Sequence, residues 1–299
     1  MTTAPKVEPD DDLDHDFGDV EFPFTQADFR NLAETLHAET GIVLDQGKML
    51  LVYSRLAKRL RALGLKSFTS YYVHISTHAG ASERRLMIEA LTTNVTRFFR
   101  EAHHFEHLAA DVLPALVAEA RQGGRVRLWS AGCSSGEEPY SIALTVLSLL
   151  PDAQRYDIKI LATDVDTQVL AQGREGRYPH GAVTRIDPAL RDRWLVRETD
   201  PGGVAGWRVG EEMRALVSFR TANLIGDWPM KGPFQVIFCR NVVIYFDEAL
   251  RDEVLNKMTG LLSPGGHLYV GHSERLKPSD TDLQFVGLST YRRPGGPRE

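Results

Sequence analysis

Cysteine is nearly missing from this chain: Cys133 and Cys239 are the two in 299 residues. So few thiols exclude a disulfide framework and fit a reducing compartment, so a cytoplasmic location is expected. No run approaches the roughly 18 uncharged apolar residues that a membrane span needs, and no insertion into a membrane is expected. The first residues lack the basic start and apolar core of a secretory signal. A surplus of positive charge is missing too, since 35 Lys and Arg face 40 Asp and Glu for a net −5. That balance argues against a nucleic acid partner, which would ask for many phosphate contacts. His103, His104 and His107 crowd one helical stretch, with His103 and His107 four apart. They lack the order of the His-Glu-x-x-His motif, and no metal is expected.

What is present is ordinary for a soluble globular protein, with 42% hydrophobic and 25% charged residues. The charge is unevenly spread. Residues 1–21 carry eight acids and one base, or −7, which leaves +2 for the remainder. Residues 1–22 therefore read as a disordered acidic tail. Residues 24–92 show helical periodicity at 25–39, 47–63, 68–78 and 81–91. Within "GKMLLVYSRLAKRLRALGLK", Val52, Leu56, Leu60 and Leu63 share one face. Lys48, Arg55, Lys58, Arg59 and Arg61 lie mostly on the other side, with no acid between them. Such a face is either a solvated surface or a dock for an acidic partner.

From about residue 125 short apolar runs alternate with helices. "VRLWSA", "IKILATD", "FQVIFCRN" and "GHLYVGH" read as strands, with helices at 137–150, 166–173 and 247–262. "QFVGLSTYRR" reads as an antiparallel edge strand. The alternation implies a doubly wound, mostly parallel α/β sheet behind a small all-α N-terminal domain at 23–92. Residues 194–221 break the pattern with three strand-like pieces around Pro201-Gly202-Gly203 and Gly210, a small antiparallel β insertion.

The stretch "SAGCSSGEEPY" joins a strand to a helix. Gly132 and Gly136 let a ligand touch the main chain, and Pro139 suits a first helical turn. A helix N-terminus ordinarily invites phosphate, but Glu137 and Glu138 would repel one. Asp164 ends the next strand, 28 residues beyond Gly136. An acid there accepts hydrogen bonds from ribose hydroxyls. A phosphate-avoiding loop with a ribose acid points to S-adenosylmethionine, whose sulfonium is positive. Asn223 and Leu224 in "TANLIGDW" would border the adenine. Arg240 and Asn241 follow a strand, with Tyr245 one turn beyond. By itself Tyr245 reads as core beside Ile244 and Phe246.

The segments "LTTNVTRFFREAHHF", "RLWSAGCSSGEEPYSIAL", "ILATDVDTQVL", "FQVIFCRNVVIYF" and "LLSPGGHLYVGHSE", in this order, resemble the chemotaxis-receptor glutamate methyltransferases, the CheR family. The likeness covers roughly residues 24–292. It implies a helical receptor-docking domain at 23–92 and a class I S-adenosylmethionine-dependent methyltransferase domain at 93–299. It further implies a cytoplasmic monomer that methyl-esterifies glutamates on the cytoplasmic helices of chemoreceptors and releases S-adenosylhomocysteine. Carried onto this chain, the family's cofactor contacts fall on Asn94, Thr96, Arg100, Glu138, Asp164, Asn223, Leu224, Arg240 and Asn241, with Gly132 in the loop. Arg100 and Tyr245 match the pair beside the transferred methyl. Lys48, Arg55 and Arg61 match the receptor-docking face. The inserted strands resemble a β-subdomain that in some members binds a receptor's C-terminal pentapeptide.

The chemistry is consistent with what the chain lacks. A glutamate carboxylate, with an ordinary pKa of about 4.3, is already ionised at neutral pH, so no general base or metal is required. Alignment is what remains to be supplied, worth roughly 7–11 kcal/mol. A methyltransferase acting on base amines would show an Asn/Asp-Pro-Pro-Tyr loop where this chain has "CRNVVIYF". A cofactor-binding signalling module with weak or no catalysis is the other reading, and Arg100, Asp164 and Tyr245 favour the enzyme.

Overall fold

The computed structural model describes residues 21–199, 202–276 and 283–295. The expected acidic tail, apart from Glu21 and Phe22, lies outside them, as does Pro201 of the 201–206 loop. The chain divides into two compact units, one holding residues up to 39 with 44–91, the other residues 40–43 with 92 onward.

The first unit is helical. Thr25 and Asp28 form a reciprocal cap at the start of α1 (Gln26–Thr40): the Thr25 amide donates to Asp28 Oδ2 at 3.0 Å and the Asp28 amide to Thr25 Oγ1 at 3.1 Å. In α2 (Met49–Leu63), Val52, Leu56 and Leu60 are buried as their spacing predicts. Leu63 is 39% exposed, because the helix closes there on Gly64 in the left-handed region. Ser67 caps α3 (Phe68–Ser76), and α4 (Ala81–Leu91) completes the unit. Buried Glu83 of α4 accepts Arg59 Nε at 2.9 Å, Arg59 Nη2 at 2.7 Å and the Tyr71 hydroxyl at 2.9 Å.

The second unit opens with α5 (Ala102–His107), a π-helical turn (Leu108–Val112) and α6 (Leu113–Arg121). Then come β1 (Val126–Ala131), α7 (Glu137–Leu149), β2 (Ile158–Asp164), α8 (Thr167–Glu175), β3 (Arg177–Pro179) and α9 (Pro188–Trp194). After these follow β4 (Leu195–Thr199), β5 (Ala205–Val209), α10 (Glu211–Leu216), β6 (Val217–Thr221) and β7 (Phe234–Cys239). The unit closes with α11 (Glu248–Leu261), β8 (Leu262–Val270), β9 (Gln284–Gly287) and β10 (Thr290–Arg292).

The main sheet runs β6-β2-β1-β7-β8-β10-β9. Its first five strands are parallel, and β10 and β9 close it antiparallel as a hairpin, where the sequence suggests a single edge strand. Strand pleating sorts side chains into two apolar layers. Leu128, Val236 and Phe238 pack on one face, Trp129, Ile237 and Cys239 on the other. Strand order reverses between β1 and its neighbours β2 and β7, and at such a switch point the strand ends leave a crevice.

The antiparallel insertion has different members from those expected. Its sheet is β3-β5-β4, so the third strand comes from Arg177–Pro179. Val217–Thr221 instead pairs in parallel with β2 as an edge of the main sheet. The β6 burial pattern, buried at Val217 and Phe219 alone, alternates as a one-sided strand does, and such local periodicity does not say which sheet receives it.

Candidate active site

The carboxyl ends of β1, β2, β6 and β7 open onto one cleft of about 880 Å³, counting space open to solvent. It lies within the second unit. Asn94, Thr96, Arg100, Gly132, Glu138, Asp164, Asn223, Leu224, Arg240, Asn241 and Tyr245 all stand on its wall.

The glycine loop is built by close approach. Gly132 sits at φ +72°, and a Cβ there would collide with Val242. Its amide donates to Thr163 O at 2.8 Å, tying β1's end to β2. Ser134, at φ 48°, donates its amide to Asp164 Oδ2 at 2.8 Å and its hydroxyl to Asn94 O at 2.9 Å. Asp164 Oδ1 accepts the Asp166 amide at 3.0 Å. Burial raises the Asp164 pKa, and these two amide bonds pull it back. The carboxylate keeps further lone pairs for hydroxyl donors in the cleft. Asp166 caps α8 and accepts Asn94 Nδ2 at 2.7 Å, so Asn94 reaches the ligand wall through a cap.

The two acids of the loop differ. Glu137 is absent from the wall; it is buried, and its Oε2 accepts the Ser135 hydroxyl at 2.7 Å. Glu138 faces the cleft but is neutralised, accepting Ser130 Oγ at 2.7 Å and Arg240 Nε at 2.8 Å. Repulsion of phosphate by a pair of free carboxylates, expected from the sequence, therefore reduces to the one charge of Asp164.

Arg240 is 5% exposed and serves as a buried tie. Beyond Glu138, its Nη1 donates to Arg100 O at 2.5 Å and to His104 Nδ1 at 3.0 Å. These bonds engage Nε and Nη1 and fix the guanidinium, which still stands on the cleft wall. His104 Nε2 stands 2.6 Å from Leu288 O, so Nε2 carries the proton and Nδ1 accepts from Arg240. Burial first, then the Arg240 charge, lowers the His104 pKa to about 4. Glu101, His103 and His104 bring possible metal-ligand atoms together. Both His104 nitrogens are engaged and a guanidinium abuts Nδ1, which disfavours a cation there.

Arg100 is presented by strained backbone. Phe99 and Glu101, on either side, take φ 50° and 56°, each costing about 1–3 kcal/mol. Ser141 Oγ accepts the Phe99 amide at 2.9 Å, and Arg100 Nη1 donates to Val95 O at 2.9 Å. Asn241, also on the wall, sits at φ 59° and is followed by the 3-10 turn Val243–Tyr245. Tyr245 is half-buried and lines the cleft, which sets aside its reading as core.

Thr40 and Ile42 also line the cleft, and the sequence reading missed them. The Val43 amide donates to Tyr245 O at 2.8 Å, and Gly41, at φ +76°, has no room for a Cβ against Leu250. Gly41 in "ETGIVL" was the available signal. Glu274 was missed as well: its carboxylate gathers amides of the loop that carries Tyr245.

The residues expected to dock a partner belong to the helical unit. Arg55 Nη1 donates to the carbonyls of Ala90 at 3.3 Å and Leu91 at 3.0 Å, closing the end of α4. Arg61 holds Glu21 with Nε–Oε2 2.9 Å and Nη2–Oε2 2.6 Å. Lys48 is exposed. The helix face is thus less positive than its sequence suggests, because acids distant in the chain return to it.

The cleft suits S-adenosylmethionine on its own chemistry. A buried carboxylate with spare acceptors ends β2, and bare backbone at Gly132 admits close contact. Among the described residues no lysine lines it. Residues 94–292 match the model of the CheR methyltransferase, SAM binding domain, and residues 27–92 that of the CheR methyltransferase, all-alpha domain. A relative from Rhizobium etli, named a probable chemotaxis protein methyltransferase, is 50% identical over 86% of this chain and 96% of its own. Chemotaxis protein methyltransferase 2 of Pseudomonas aeruginosa is 43% identical over 92% of this chain and 96% of its own. The chemotaxis protein methyltransferase of Escherichia coli is 40% identical over 89% and 91% respectively. Matched across both units, with an S-adenosylmethionine cleft formed where its parallel strands end, this chain belongs to the CheR methyltransferase family.

Proposed function

We propose that the protein transfers a methyl group from S-adenosylmethionine to glutamate side chains of chemoreceptors, forming methyl esters. The relatives' names supply the chemotaxis setting. The observation that carries the reading is the cleft itself, whose wall holds Asp164, Arg100 and Tyr245. Bound there, S-adenosylmethionine supplies a methyl on a positive sulfur, open to in-line displacement. Asp164 accepts the ribose hydroxyls, and Asn223 and Leu224 border the base. Asn94, Thr96 and Asn241 complete the cofactor wall. Arg240 and Glu138, paired on the same wall, tie the start of α7 to the Arg100 segment.

Arg100 orients a carboxylate through charge-assisted hydrogen bonds. Tyr245 borders the transferred methyl. The acceptor arrives ionised, so its own lone pair displaces the sulfonium and no proton needs to move. Lys48, just before α2, and Lys58 within it offer the exposed positive charge that an acidic receptor helix would meet. The two buried free thiols are compatible with a reducing cytoplasm.

The test uses methyl-tritiated S-adenosylmethionine and a purified receptor cytoplasmic fragment. Alkali-labile label released as methanol is expected from wild type, with strong losses in Tyr245→Phe and Arg100→Ala. Wild-type rates in both variants would defeat the assignment of these two residues.

A further inference from the structure

One buried acid outside the cleft has a constellation that the reaction described so far does not use. Glu274 is 2% exposed. Its Oε2 accepts the amides of Asn241 and Gly271, each at 2.6 Å. Its Oε1 accepts those of Val242 at 2.8 Å and Ile244 at 3.2 Å. The Glu274 amide in turn donates to Gly271 O at 2.8 Å, folding the side chain back over its own turn. Gly271 belongs to that design, because a Cβ there would stand 2.6 Å from Glu274 Oε2 and 2.8 Å from Asn241 Nδ2.

Three of the four donors belong to the loop after β7, which turns through Asn241 in the left-handed region and ends in the turn bearing Tyr245. Asn241, Val242 and Tyr245 line the cleft, whereas Glu274 does not. These amides point inward, where no helix or sheet satisfies them, so the carboxylate replaces a missing ladder. We propose that Glu274 is a positioning residue for methyl transfer, its carboxylate clamping the loop that sets Asn241 and Tyr245 against the cofactor. The clamp requires the anion. Burial raises the Glu274 pKa and the four amides lower it, yet a proton on either oxygen would face two N–H donors. An amide fails for the same reason: in Glu274→Gln, either orientation aims an NH2 group at two amides that both donate.

The inference rests on the methyl-transfer reading, and its test separates the two. Glu274→Gln and Glu274→Ala are assayed for methyl transfer to a receptor fragment, with S-adenosylhomocysteine titration counting the competent sites. Per competent site, kcat of Glu274→Gln is expected to fall about 100-fold, as small misplacements at reacting centres do. KM for the receptor fragment is expected to stay at the wild-type value. Formate, a carboxylate small enough for the vacated space, should restore part of the Glu274→Ala rate, and chloride should not. A purely structural glutamate would lower the number of sites and leave kcat per site intact with no formate response; that result overturns the proposal. If wild type fails to methylate the fragment, the receptor reading fails, and the clamp is then judged by S-adenosylhomocysteine affinity. Weakening in Glu274→Ala that formate reverses supports it, and affinity unchanged in both variants overturns it.

Discussion

Asp164→Asn tests the cofactor reading with little change of shape. Asp164 is 9% exposed, and its carboxylate already accepts two amides, from Ser134 at 2.8 Å and Asp166 at 3.0 Å. Its remaining lone pairs are what a ribose diol would use. The asparagine must turn its one oxygen toward an amide or toward the ligand, and its NH2 opposes a donor on the other side. A hydrogen bond to a charged group is worth about 1.5–3 kcal/mol. Losing one such bond predicts a Kd for S-adenosylhomocysteine roughly 10- to 150-fold weaker, since each 1.4 kcal/mol is tenfold. Isothermal titration at neutral pH reads this directly, with thermal melting of the ligand-free variant as the control for folding. An unchanged Kd in a folded variant would refute the ribose assignment and the placement of the nucleoside at the end of β2. Asp164 also sets a pH dependence. Its folded pKa is raised, so affinity should hold at neutral pH and decline as pH falls toward the acid range, beginning above the pH at which an ordinary aspartate titrates.

Further outcomes follow from the buried ties. Arg240→Met leaves Glu138 unpaired at 7% exposure and should cost about 3–5 kcal/mol in denaturant unfolding; adding Glu138→Gln should recover part of it. His104 has its pKa lowered to about 4, so the unfolded chain takes up its proton first as pH falls from about 6.5. Between pH 7 and 5 wild type should therefore lose about 2 kcal/mol that His104→Gln does not lose, by comparison of urea curves at the two pH values. Arg55→Ala should lower the melting temperature through the freed α4 carbonyls, whereas Arg61→Ala, which breaks a solvent-exposed pair, should leave it unchanged. Lys48→Glu should raise the KM for receptor at low salt, an effect that added salt removes.

The alternation of strands and helices was legible because each element carries its own periodicity. Leu128 and Trp129 in β1 announce two buried faces by simple alternation. Asp164 and the glycine loop were legible because a tight turn and a strand-end acid are local features. Partnership across the chain was not. Val217–Thr221 looks the same whether it joins the small sheet or the edge of the large one, and Arg177–Pro179 is too short to signal a strand. Arg61 reads as a free cation until Glu21, 40 residues away, folds onto it. Arg240 lines the cleft, but its ties to Glu138 and His104, 102 and 136 residues away, carry no local signal. Thr40 and Ile42 join a cleft whose other walls begin some fifty residues later, and Glu274 acts through amides about thirty residues before it.

The sharpest single measurement concerns the acceptor atom. A receptor cytoplasmic fragment incubated with enzyme and S-adenosylmethionine is digested and sequenced by tandem mass spectrometry, before and after mild alkali. A methyl placed on glutamate side chains and removed by alkali is the expected result. A methyl on nitrogen, stable to alkali, would contradict carboxylate methylation and with it the mechanism that dispenses with a base.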